Sequence, residues 1–175
     1  MKTTLLMFLA VTVPVLAQTS GSDAIAKHWK TSGEFTLAVA KAMPAESYDF
    51  RANPEEMSFG QLMAHIAGAN LGACANASGL VAPALPPKIA EYRKNTKLDV
   101  DRDTAISFLS DSFDFCNKAV AATTNERMHT VVGPPARNMT AFEWLWAYFT
   151  HTAHHRGQAE VYLRIKGIKP PDYKF

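Results

Sequence analysis

The chain has 175 residues, 47% hydrophobic and 19% charged, which suits one globular domain with a sizeable core and leaves no stretch biased enough to read as disordered. The formal net charge is +2 and the charges are scattered. That argues against a nucleic-acid binder, which carries a basic patch or stripe.

In chain order, Met1-Lys2 makes a short positive start, and Leu5 to Ala17 is apolar apart from Thr12. Val15-Leu16-Ala17 places small or modest side chains where a signal peptidase reads them. Residues 1–17 therefore read as a secretory signal peptide, leaving 18–175 as the mature domain. The run is shorter than the roughly 20 residues of a membrane span, so no span is expected after cleavage. Gln18, not Cys, argues against a lipid anchor. Loss of Lys2 takes the balance from 18 − 16 = +2 to 17 − 16 = +1. The expected location is exported, periplasmic or secreted.

Four long helices are predicted. The first runs from about Ser22 to Met43, with Ile25, Trp29, Phe35, Leu37 and Val39 as apolar weight and Pro44 beyond it. The second starts at Ser58, where Ser58-Phe59-Gly60-Gln61 is a capping-box pattern, and ends near Leu80 before Pro83. The third runs from Asp101 or Asp103 to about Thr124; its acidic start suits the helix dipole. The fourth opens on a second capping box, Thr140 to Glu143, continues to about Lys166, and meets Gly167 as a stop. The intervening stretches hold Pro44, Pro54, Pro83, Pro86, Pro87, Pro134 and Pro135, and no useful strand alternation is present. The expected class is all-α, a four-helix bundle. Its connections of about fifteen to twenty residues exceed the usual helix–helix loop and allow crossovers. Cys74 and Cys116 fall on the second and third helices. In an oxidising compartment they can pair and staple the two; otherwise they are two buried thiols.

The histidines carry the chemical signal. Trp144, Tyr148, His151, His155, Gln158 and Tyr162 repeat at spacings of four and three, a seam that faces partner helices. His151 and His155 sit one turn apart on it. Inward polar groups cost free energy unless satisfied, and one metal ion satisfies two imidazoles; a buried hydrogen-bond network through a water or Tyr148 is the alternative. On the second helix His65 shares a stripe with Leu62, Ala69 and Gly72, among Ala64, Ala67, Gly68 and Ala73. Mid-helix glycine costs up to about 1 kcal/mol relative to alanine, so this cluster reads either as a close helix crossing or as a pocket.

Residues 47–70, SYDFRANPEEMSFGQLMAHIAGAN, and 151–173, HTAHHRGQAEVYLRIKGIKPPDY, resemble the DinB-like (DinB/YfiT-like) superfamily, in the family's order and at about its spacing. The resemblance spans nearly the whole mature chain. It implies a four-helix bundle with long crossover connections and one divalent metal ion, zinc or nickel, held by His65, His151 and His155. It also implies a homodimer as the common assembly. The branches with established activity resemble metal-dependent thiol transferases and thiol-dependent isomerases.

A three-histidine ion keeps an open position, the pattern of catalytic rather than structural zinc. The expected function is a metal-dependent enzyme, a hydrolase or thiol-dependent transferase acting on a small molecule. The alternative is a non-catalytic bundle that holds a metal or small ligand. Tyr148 and Gln158 share the ligands' face and are candidates for orienting the ligands or touching substrate. No carboxylate lies on that seam; Glu46, Asp49, Asp111 and Asp114 are candidates to reach it. Glu143 reads as a cap and Arg156, rotated away from His151, as a surface or interface charge. His28, His129 and His154 read as non-ligands.

Overall fold

A computed structural model describes residues 21–174; the expected signal peptide, residues 1–17, lies outside them. Six α-helices, one 3-10 turn at Ala45–Ser47 and one short ribbon occur among the described residues: α1 (Gly21–Ala42), α2 (Phe59–Ser78), α3 (Pro87–Lys94), α4 (Arg102–Ala122), α5 (Asn125–Met128), β1 (Val131–Val132), β2 (Met139–Thr140) and α6 (Ala141–Ile165). The four long helices match the sequence expectation to within a residue or two. Their ends have the expected chemistry. Ser58 Oγ accepts from Gln61 N while Gln61 Oε1 accepts from Ser58 N at 2.9 Å. Thr140 and Glu143 do the same at the start of α6, where Glu143 Oε2 accepts from Thr140 N at 2.7 Å. Asp101 caps α4 by accepting from Thr104 N at 2.9 Å. These bonds satisfy backbone donors that have no partner inside the helix. Gly79 ends α2 in the left-handed conformation at φ 79°, which glycine adopts without strain.

The pieces that periodicity did not announce are short. α3 begins with Pro87 in its first turn, where a missing N–H costs nothing, and buries Ile89. α5 starts at the Thr124 cap and buries Met128. The ribbon pairs Val131 with Thr140 and Val132 with Met139. Segments of two to eight residues are too short to show a hydrophobic period, so the sequence reads them as loop.

The helices form a bundle in which α1 and α2 each pack on both α4 and α6. Helices consecutive in the chain, α1 with α2, therefore lie across the diagonal. Direction follows from residue pairs. Gly60 lies against Val100, just before α4, and Cys74 is bonded to Cys116, so α2 and α4 run parallel. Tyr162 donates to Met57 O while Thr152 meets Asn70, so α6 runs antiparallel to α2. Parallel neighbours force the chain back along the bundle between them, about 30 Å for a 20-residue helix. The stretch carrying α3 makes that return.

The core joins Trp29, Phe35, Val39 and Met43 of α1 to Leu62, Met63, Ile66, Phe108, Leu109, Phe113 and Leu163. The Cys74–Cys116 disulfide ties α2 to α4 inside it, with Cα atoms 5.3 Å apart and neither residue exposed. No described helix is long and apolar enough to cross a membrane.

Arg156 departs from its expected place. It is only 6% exposed, donates to Ser32 Oγ at 2.9 Å and Thr36 Oγ1 at 3.3 Å on α1, and stacks over Phe35 at 4.6 Å. The reason is that α6 buries two sides, one on α2 and one on α1. The histidine seam marks only the first of them.

Candidate metal centre

Two helices deliver the three histidines. His151 and His155 project from adjacent turns of α6, and His65 meets them from antiparallel α2. His65 Nε2 and His151 Nε2 are 3.1 Å apart, and one ligand atom of each of the three residues falls within 4.8 Å of the others. A tetrahedral zinc ion at its usual Zn–N distance needs nitrogens about 3.3–3.4 Å apart. The trio stands a modest side-chain adjustment from that arrangement. His28, His129 and His154 are exposed, and His154 only borders the site, its ring 4.8 Å from that of His155.

The imidazoles are held uncharged. Burial lowers the pKa of His151 to about 4, with neighbouring His155, His65 and His154 adding to the effect. Burial, then His155, lowers His65. Burial also lowers His155, partly opposed by its bond to Gln158. A neutral imidazole offers the lone pair that coordination needs.

Gln158 does more than share the seam. Its Nε2 donates to Glu56 Oε2 at 2.8 Å, and its Oε1 faces His155 Nδ1 at 3.1 Å. A carboxylate only accepts, so the amide NH2 must face Glu56 and the amide oxygen must face the ring. His155 therefore carries its proton on Nδ1, and Nε2 keeps its lone pair toward the other histidines. This is the hydrogen-bonding pattern that orients metal-ligating histidines. His151 has no such partner: its Nδ1 is buried without a hydrogen bond, and its ring lies 5.5 Å from Tyr148 and 4.4 Å from His155. Packing holds it instead. Tyr148 flanks the site, its hydroxyl accepting from Arg137 Nη1 at 2.9 Å.

The donor set fits one divalent ion: three neutral imidazoles, one oriented by a hydrogen-bonded amide, with no carboxylate joining them among the described residues. Of the acidic candidates, Asp111 and Asp114 line a different cleft with Lys118, while Glu46 and Asp49 are exposed and unbonded to the trio. Glu56 is connected to the trio through Gln158. It lies in the loop before α2, where no helical period marks it. A second feature was half visible in the sequence. A Cβ at Gly68 or Gly72 would meet nothing within 4 Å, so these glycines leave open space rather than admit a close helix crossing.

No curated protein matches the sequence. A crystal structure of a DinB-like protein from Bacillus cereus superposes with a TM-score of 0.70 at 18% identity, covering 87% of this chain and 97% of that one, a likeness of fold. A sequence profile of the DinB superfamily matches residues 28–159, a span that takes in α2 and α4 whole, most of α1 and α6, and all three clustered histidines, and by that match the chain belongs to the DinB superfamily.

Proposed function

We propose that this protein is an exported metal-dependent enzyme, a hydrolase or thiol-dependent transferase, whose His65, His151 and His155 hold one zinc or nickel ion. The convergence of three neutral imidazole nitrogens from two helices carries this reading. Three protein ligands leave a coordination position for substrate or water, as in catalytic sites. The ion, when bound, supplies polarisation of a substrate oxygen, acidification of a water, or a seat for a thiolate. The chain's own contribution is positional. Gln158 sets the tautomer and aim of His155, Glu56 holds Gln158, and Asn70 with Thr152 pins α2 to α6 at 3.0 Å close by.

One observation favours a second reading, a non-catalytic holder of metal or small ligand: no carboxylate stands with the trio to move a proton. Export is supported by the apolar leader of residues 5–17 and by a disulfide that an oxidising compartment would maintain. Amino-terminal sequencing of the mature protein from a fractionated host tests it; an uncut chain in the cytosol overturns it.

Metal analysis of the purified protein tests the centre. About one equivalent of a transition metal is expected, with a rise in melting temperature that His65→Ala abolishes, because an ion that binds only the folded chain stabilises it. Less than about a tenth of an equivalent, with His65→Ala melting like the parent in added zinc, removes the site. An ion that exchanges its water and admits small anions or thiols favours the enzyme, and an inert four-coordinate ion the holder.

A further inference from the structure

α2 and α3 enclose a cleft of about 320 Å3 next to the metal centre, and His65 belongs to both. Its floor is Ala64, Gly68 and Ala69; Ile89, Tyr92 and Phe108 form its walls. The space is built in. The open surroundings of the Gly68 Cα leave the floor low, although a mid-helix glycine costs up to about 1 kcal/mol relative to alanine. The roof is held from below. Gln61, buried at the start of α2, donates its Nε2 to Thr96 O at 3.0 Å and Leu98 O at 2.9 Å, and Arg51 pairs with Asp99 at 2.7 Å. Ile89 is buried beneath α3. The cleft is thus formed without a ligand, as small-molecule sites usually are.

Its charge is one-sided. No Asp or Glu lines it, whereas Arg93 does, exposed and without an ion pair or hydrogen bond among the described residues. The neighbouring cleft on α4, which shares Phe108 with this one, has Asp111 and Asp114 balancing Lys118. Beside His65 nothing balances. Three neutral imidazoles also leave most of an ion's double charge uncompensated, Glu56 reaching them only through Gln158, so the region asks for an anion from two directions.

We propose that this cleft binds a small organic monoanion, a carboxylate on a short apolar body. Arg93 meets the carboxylate, and Ile89, Tyr92 and Phe108 contact the body. The volume equals that of roughly ten waters, which limits the ligand to a short chain or a single ring. The inference rests on the metal reading for one of its two positive charges and on Arg93 for the other.

Calorimetric titration of the zinc-loaded protein with butyrate, butyramide and butylammonium tests it, with metal content measured on the same samples. Butyrate should bind at least about tenfold more tightly than the neutral amide, and the cation not at all, since the charge-assisted bond is the discriminating contact. Arg93→Ala should lower butyrate affinity about tenfold, with Arg93→Lys recovering part of it, because lysine keeps the charge but not the fork. Gly68→Leu should fill the floor and abolish binding; a melting curve on each variant shows that it is folded. Equal butyrate affinity in the parent, Arg93→Ala and Gly68→Leu at full zinc content would place the anion on the ion alone and overturn the proposal. So would indifference between butyrate and butyramide. If zinc fails to bind, the metal reading fails separately. Titration of the metal-free protein then decides: butyrate binding lost in Arg93→Ala keeps the cleft, and binding that is absent or indifferent to Arg93 removes it.

Discussion

α2 has two working sides, and they are built from opposite materials. Toward α4 it is closed by a disulfide and by apolar contact, with Cys74 and Cys116 unexposed and Gly60 so near the Val100 carbonyl that a Cβ would collide with it. Toward α6 it presents His65 and Asn70 to His151, His155 and Thr152. The first side stabilises the fold and holds no free polar chemistry. The second places polar atoms where burial is costly unless a partner satisfies them. Stability and binding should therefore be separable, and three experiments probe where the separation holds.

The largest effect is expected on the α4 side. The bridge closes a sequence separation of 42, for which the chain-entropy relation gives roughly 4 kcal/mol. Cys74→Ser with Cys116→Ser, or reduction under denaturant, should lower the unfolding free energy by about that amount while metal stoichiometry in the folded protein stays the same. Loss of metal along with the bridge would show that the two sides of α2 are coupled.

An intermediate effect is expected from the link between His155 and Glu56. Gln158→Leu removes the acceptor of the His155 Nδ1 proton and the donor to Glu56. Changes to such orienting groups weaken metal affinity by about 10- to 100-fold. Competition against a chelator measures this. Affinity equal to that of the parent would mean that packing alone aims His155, as it does His151.

The smallest effect is a pH dependence in the metal-free protein. His151 titrates at about 4 in the folded state against 6.5 unfolded, so the unfolded chain takes up the proton first as pH falls. Its contribution to stability is complete above 6.5 and is lost as pH drops toward 4. Urea unfolding on both sides of that window should show the decline, and His151→Phe should make it shallower, with His65 and His155, also lowered by burial, supplying the remainder. A slope unchanged in that variant would assign the decline to other groups.

Local information predicts local things well here. The capping boxes at Ser58 and Thr140 and the acidic start of α4 at Asp101 are contacts between residues three or four apart, so the sequence displays them. The same is true of the α6 seam, because a helix repeats about every 3.6 residues and Tyr148, His151, His155 and Gln158 must share a face. With two cysteines in the chain, only one intramolecular pairing is available. Helical content, the crossover bundle and the three histidines as a group were all legible, the last two with the help of family resemblance.

What the sequence could not display is which surface opposes which. Arg156 reads as outward when only the seam is considered, and is buried because α1 covers the adjacent side of α6. Glu56 sits in a loop, where position is set by the tertiary path and not by a period, yet it completes the chain of bonds to His155. The Ala and Gly residues around His65 are compatible with a tight crossing or with a cleft. The placement of α3, fixed through Gln61 and Ile89, leaves open space above Gly68. Periodicity reports the face of a residue's own helix, and the residues that complete a site arrive from elsewhere in the chain. The three histidines were readable as candidates one helix at a time; their meeting within 4.8 Å is a property of the antiparallel packing of α2 and α6.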